Sequence, residues 1–163
     1  MKTLLIVWHS RTGGARQMAE AAAHAADAEP GVAVRLVAAP DAGPDDLLGA
    51  DGYLFACPEN LASMSGAMKE VFDRCYYPCL ERLNGRPYAA MICAGSDGAG
   101  AARQLARICT GWRLKAVAEP LIVNVSAQTP EAIQAQKHLT PAQLAPCAEL
   151  GATMAAGLAI GVF

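Results

Sequence analysis

The chain has 163 residues, of which 53% are hydrophobic, 17% charged and 6% aromatic, and its formal net charge is −2. That length makes one domain, residues 1–163, able to bury a substantial core, and the composition excludes a disordered or low-complexity protein. The basic residues are scattered and form no run, so neither a nucleic-acid groove nor an anionic membrane surface is expected as a partner.

The N-terminal stretch MKTLLIVWHSR combines Lys2 with an apolar run in the manner of a signal peptide, but the run stops after Trp8 and no small-residue cleavage site follows. It reads as a first strand, Thr3 to Trp8, of a cytoplasmic protein. Continuous apolar runs predict further strands at Val32 to Val37, Gly52 to Cys57, Tyr88 to Ala94 and Ala116 to Val123. Between them, helical periodicity predicts helices over Ala15 to Ala28, Ser65 to Cys75 and Ala99 to Trp112. The stretch APDAGPDDLLG, Ala39 to Gly49, is turn-rich with at most a short helix, and VSAQTPEAIQAQKH after the fifth strand reads as a polar loop or a loose helix. The last helix, Thr140 to Ile160, opens on an N-cap threonine followed by proline. Its apolar end, GATMAAGLAIGVF, falls short of the roughly 20 residues that span a bilayer. Its small residues suit close packing on the chain's own sheet or on a partner copy.

Six cysteines (Cys57, Cys75, Cys79, Cys93, Cys109 and Cys147) invite a disulfide reading, but three lie inside apolar runs and no export signal is present. Reduced, packed thiols are expected. That includes Cys75 and Cys79 in CYYPC, whose spacing is not that of a C-x-x-C redox pair. Three scattered histidines without a carboxylate cluster give no metal site. His9, at a strand end, reads as a turn residue, and Tyr76, Tyr77 and Trp112 read as core or subunit-interface residues.

Five buried strands alternating with helices point to a doubly wound α/β sheet, in which ligands sit beyond the carboxyl ends of the strands. Three loops at that end are unusual. In VWHSRTGGARQMAEA, an apolar run meets Ser10, Arg11, Thr12, Gly13 and Gly14 and a helix then begins, which aims free N–H groups, hydroxyls and a positive helix end at one spot and suits a phosphate. After the third strand, ACPENLASMSGAMKEVFDR carries Pro58 to end the strand, Leu61 as an apolar surface, and the small residues Ala62 and Ser63. After the fourth, CAGSDGAGAARQ is rich in small residues.

The second of these loops, with its helix start Met64-Ser65-Gly66-Ala67-Met68, resembles the flavin-binding loop of the NAD(P)H-dependent FMN reductase and quinone reductase branch of the flavodoxin-like superfamily. The resemblance spans roughly residues 3 to 123. It implies a flavodoxin-like five-stranded parallel sheet in the order 2-1-3-4-5 with helices on both faces. It further implies an FMN phosphate held by Ser10, Arg11, Thr12, Gly13 and Gly14. The isoalloxazine ring would lie against Pro58, Glu59, Asn60, Leu61 and Ala62, with Gly95, Ser96, Asp97 and Gly98 along the ring and ribityl chain.

Three departures from the family pattern carry consequences. Ala15 stands where a flavodoxin has a threonine, leaving Arg11 or Arg16 to compensate by charge. No aromatic residue lies between Pro58 and Met68 or between Cys93 and Gln104, so the ring is left open to a hydride donor. Glu59 and Asp97 would lower the flavin potential. The resemblance thus implies an oxidoreductase that takes hydride from NAD(P)H through FMN and passes electrons to a small acceptor such as a quinone or flavin, as a homodimer or higher oligomer. No side chain is expected as catalytic acid or base. A flavodoxin-type electron carrier, or a relative with weak FMN binding serving as a binding module, is the alternative.

Overall fold

The computed structural model describes residues 1–163. In chain order the elements are β1 (Lys2–Trp8), α1 (Gly14–Ala26), β2 (Val32–Ala38), a 3-10 turn (Ala39–Asp41), α2 (Pro44–Leu48), β3 (Gly52–Asn60), β4 (Ser63–Met64) and α3 (Gly66–Cys79). There follow β5 (Pro87–Ala94), α4 (Ala99–Gly111), β6 (Lys115–Ala116), β7 (Leu121–Asn124), α5 (Pro130–Gln134) and α6 (Pro141–Ile160).

The sheet runs β2-β1-β3-β5-β6, with β7 also paired to β5, and the pairs along this path are parallel. With β6 and β7 as two pieces of one edge strand, this is the expected flavodoxin-like 2-1-3-4-5 order. The fifth strand is broken rather than continuous because Pro120, immediately before β7, has no N–H to give the ladder. The third strand also differs from expectation. Pro58 does not end it: Pro58 pairs with Cys93 of β5, the strand runs on to Asn60, and the chain folds back through β4, pairing Glu59 with Met64 and Asn60 with Ser63.

Alternation along β1 sends Leu5 and Val7 to one core and Leu4 and Ile6 to the other, all four fully buried. On the first face, α2, α3 and α4 cover an aromatic cluster in which Phe72 stands 5.0 Å from Phe55 and meets Trp112 edge-on at 5.3 Å. Trp112 is therefore core, whereas Tyr77 is 80% exposed. Helix α3 continues to Cys79 with Pro78 inside it. All six cysteines are free and buried.

The opposite face is covered by α1 and α6. Gly151 of α6 sits so close to α1 that a Cβ there would fall 2.1 Å from the carbonyl oxygen of Ala22. The small residues of the last helix thus pack on the chain's own α1. No helix of the structure is long and apolar enough to cross a membrane.

Candidate functional site

The carboxyl ends of β1, β3, β5 and β7 surround a cavity of about 210 Å³. A larger hollow of about 370 Å³ lies at the opposite pole, between Asp51 and Arg86. Arg86 Nη1 is spent there on the carbonyls of Leu47, Leu48 and Ala50, which makes that hollow framework rather than a site.

The first wall is the turn after β1. Ser10 Oγ accepts the N–H of Gly13 at 3.0 Å, and Gly13, at φ 93°, is the N-cap of α1. The N–H groups of Thr12, Gly14, Ala15 and Arg16 meet no protein acceptor, as the first turn of a helix requires. Of these residues Thr12, Gly14 and Ala15 line the cavity, together with Ser10 and Arg11. Amides and hydroxyls converging with the positive end of α1 fit a phosphate monoester. Arg16 does not compensate for the alanine at position 15: its Nε is 2.7 Å from Glu20 and its guanidinium stacks 5.7 Å from the Trp8 ring centroid. Arg11 is exposed and lines the cavity.

Pro58, Glu59 and Asn60 form the second wall. The Glu59 carboxylate is turned onto the start of α4, accepting the N–H of Gly98 at 2.8 Å and of Ala101 at 3.1 Å. It therefore meets helix-start amides that offset its charge, in place of the bare carboxylate beside the ring that was expected. Gln104 Oε1 accepts from Ser63 Oγ at 2.6 Å and Met64 N at 2.8 Å. Gly100 lets the hairpin settle on α4, since a Cβ there would lie 2.1 Å from the Ala62 carbonyl oxygen. Leu61 and Ala62 form the hairpin tip at φ 51° and 62°, with Leu61 fully exposed. Neither lines the cavity.

From β5 the cavity takes Cys93, Ala94, Gly95 and Ser96. Asp97 and Gly98 stand outside it. Asp97 Oδ1 accepts the Ala99 N–H at 3.2 Å, and Gly98 is the N-cap of α4. Of the residues expected at the site, Gly13 is the remaining one outside the lining; its role is to turn the chain.

The fourth wall was not foreseen. Val125, Ala127, Ile133 and Lys137 close the cavity from the segment after β7. The signal was topological: a loop after the fifth parallel strand ends at the same pole as those after the first, third and fourth. Burial pushes the Cys93 thiol pKa up while the Lys137 charge opposes this. His9, whose Nδ1 lies 2.8 Å from Ser65 Oγ, has its pKa lowered by burial and then by Arg11. No group of three or more His, Cys, Asp or Glu side chains is placed to hold a metal ion.

A doubly wound parallel sheet in this strand order, with a cavity among the loops at its carboxyl pole, defines a protein of flavodoxin-like architecture. The chain belongs to the NADPH-dependent FMN reductase family, whose sequence model matches residues 44–129. It is similar to a flavodoxin from Aquifex aeolicus (32% identical over 100 residues, 61% of this chain and 54% of that one). An NAD(P)H dehydrogenase (quinone) from Acidithiobacillus ferrooxidans is 33% identical, over 45% of this chain and 47% of its own length. The chain thus spans about half the length of the curated relatives it matches. Among solved structures, a flavodoxin from the domain Archaea superposes with a TM-score of 0.74 at 19% identity, covering 96% of this chain and 98% of that one.

Proposed function

We propose that the protein binds FMN at the carboxyl pole of the sheet and acts as an NAD(P)H-dependent oxidoreductase on a small acceptor such as a quinone or a flavin. The observation that carries this reading is the set of unsatisfied amides at Thr12, Gly14 and Ala15, residues that line a cavity bounded by the ends of four parallel strands. Ser10, Arg11 and Thr12 would hold the phosphate, and Pro58, Asn60, Gly95 and Ser96 the ring and ribityl chain. When bound, FMN supplies the redox chemistry, taking a hydride from the nicotinamide and returning two electrons to the acceptor. The protein's part is to orient the two substrates and to set the electrostatics around them. Glu59 holds the two ring-side loops together through Gly98 and Ala101. The absence of aromatic residues from these loops leaves one side open for a nicotinamide or an acceptor.

The similarity to a flavodoxin supports a second reading, an electron carrier. Steady-state NAD(P)H oxidation with FMN and menadione decides between them: an oxidoreductase turns over without a protein partner, and a carrier does not. An absorption spectrum unchanged from that of free FMN, together with no retention in dialysis, would remove both readings.

A further inference from the structure

The segment that closes the fourth wall is fastened to the turn after β1 by its backbone. The Lys137 N–H donates to the Thr12 carbonyl at 2.7 Å. Gln17, on α1, uses both ends of its amide: Nε2 donates to the carbonyls of Gly13 at 2.9 Å and Lys137 at 2.7 Å, and Oε1 accepts the Leu139 N–H at 3.0 Å. The Gln136 side chain lies against Gly13. The segment therefore shapes the same turn whose free amides face the cavity.

Lys137 is also folded back on its own segment. Its Nζ donates to the carbonyls of Ala132, Ile133 and Ala135 at 2.8, 3.0 and 2.6 Å. All three protons are used, all on neutral oxygens, and no carboxylate pairs with the ammonium. The ammonium is thus fixed in place, its field weakened by three carbonyl dipoles but cancelled by no anion, on a residue that lines the cavity with Ser10, Arg11, Thr12, Gly14 and Ala15. The Lys137 side chain reaches the turn itself, its Cβ lying 3.7 Å from where a Cβ on Gly14 would stand. With Arg16 committed to Glu20 and Trp8, and no hydroxyl at Ala15, Lys137 and Arg11 are the cations left beside the free amides.

We propose that residues 127–139 form a phosphate clamp, positioned by Gln17, in which Lys137 is the fixed cation that selects a phosphorylated flavin over an unphosphorylated one. This rests on the FMN reading above. A clamp of this kind acts at a distance, by field and by holding the Thr12 carbonyl, so its signature is discrimination between ligands rather than overall affinity.

The test measures dissociation constants for FMN and riboflavin in wild-type protein, Lys137→Met and Lys137→Arg, with circular dichroism melts as the check on folding. Wild-type protein should prefer FMN; Lys137→Met should lose roughly tenfold of that preference, mainly through weaker FMN binding, and Lys137→Arg should recover most of it. Equal losses for both ligands, or none, would overturn the clamp while leaving the FMN reading intact. No FMN binding by the wild type would overturn both. Should Lys137→Met unfold, hydrogen exchange on the wild type gives a second measure. The Lys137 and Leu139 amides should be slowed by FMN and not by riboflavin, and slowing by both alike would reduce the segment to scaffold.

Discussion

Thr12 lines the cavity and its carbonyl accepts the Lys137 N–H, so one residue joins the turn after β1 to the segment that closes the fourth wall. Thr12→Glu sets a carboxylate against a phosphate of nearly two negative charges. At about 4 Å the repulsion is about 1 kcal/mol per charge pair in water and about 4 kcal/mol at an effective dielectric of 20. FMN affinity should therefore fall by an order of magnitude or more while riboflavin binding is nearly unchanged; fluorescence titration with both ligands reads this, and equal losses would mean a damaged fold. His9 carries a pH dependence. Its pKa is lowered in the fold, chiefly by burial. The unfolded chain thus binds a proton more readily than the native one below about pH 6.5, and stability falls as pH drops through that value. The effect is absent at higher pH. Melting temperatures between pH 7 and 5 should decline more steeply for wild type than for His9→Gln, and parallel declines would assign the acid sensitivity elsewhere.

At the scale of elements, the β3–β4 hairpin joins two ordinary strands through an unusual turn. A two-residue hairpin with φ positive at both positions favours Asn-Gly, yet Leu61 and Ala62 occupy it at φ 51° and 62°. Leu61 recovers nothing by burial, being fully exposed. The double substitution Leu61→Asn with Ala62→Gly should stabilise the protein by about 1 kcal/mol, raising Tm by about 2–4 °C. An unchanged or lower Tm would mean that the turn carries no strain. The α1–α6 contact behaves in the opposite sense. Gly151→Ala drives a methyl into the carbonyl of Ala22, which is backbone and cannot rotate away. Displacing α6 should cost about 2 kcal/mol, read as a lower denaturant midpoint with an unchanged m-value.

For the molecule as a whole, the strand directions place the four cavity-lining loops at one pole, leaving the other to framework contacts such as those of Arg86. The Glu59 clamp joins two of those loops and the Gln17–Lys137 clamp the other two, so the cavity is walled by two pairs rather than four independent segments. Addition of FMN to the purified protein should shift and structure the visible flavin absorption, with NAD(P)H bleaching it in the absence of any second protein. Failure to bleach, with binding intact, would favour the carrier.

The first four parallel strands, the fold and the turn at Ser10 to Gly14 were legible in the sequence because they rest on local chemistry, whereas the β3–β4 hairpin and the break in the fifth strand were not. Runs such as Leu4 to Val7 are apolar on both faces, and a polar Gly-Gly junction before a helix leaves amides free wherever it occurs. What a side chain does once the loops meet was not legible. Glu59 in sequence is a carboxylate beside a ring; in space it caps α4, 39 residues away, at Gly98. Arg16 is a cation next to the phosphate turn until Glu20 and Trp8 take it. Lys137 lies 120 residues from the Gln17 that holds its carbonyl, and only the return of the chain over the sheet brings the two together. The sequence by itself determined which segments pack and where ligand loops gather, because burial and backbone hydrogen bonding depend on residue type and spacing. Tertiary structure alone decided which charges reach the cavity, because a charge is directed by its partners, and those come from distant parts of the chain.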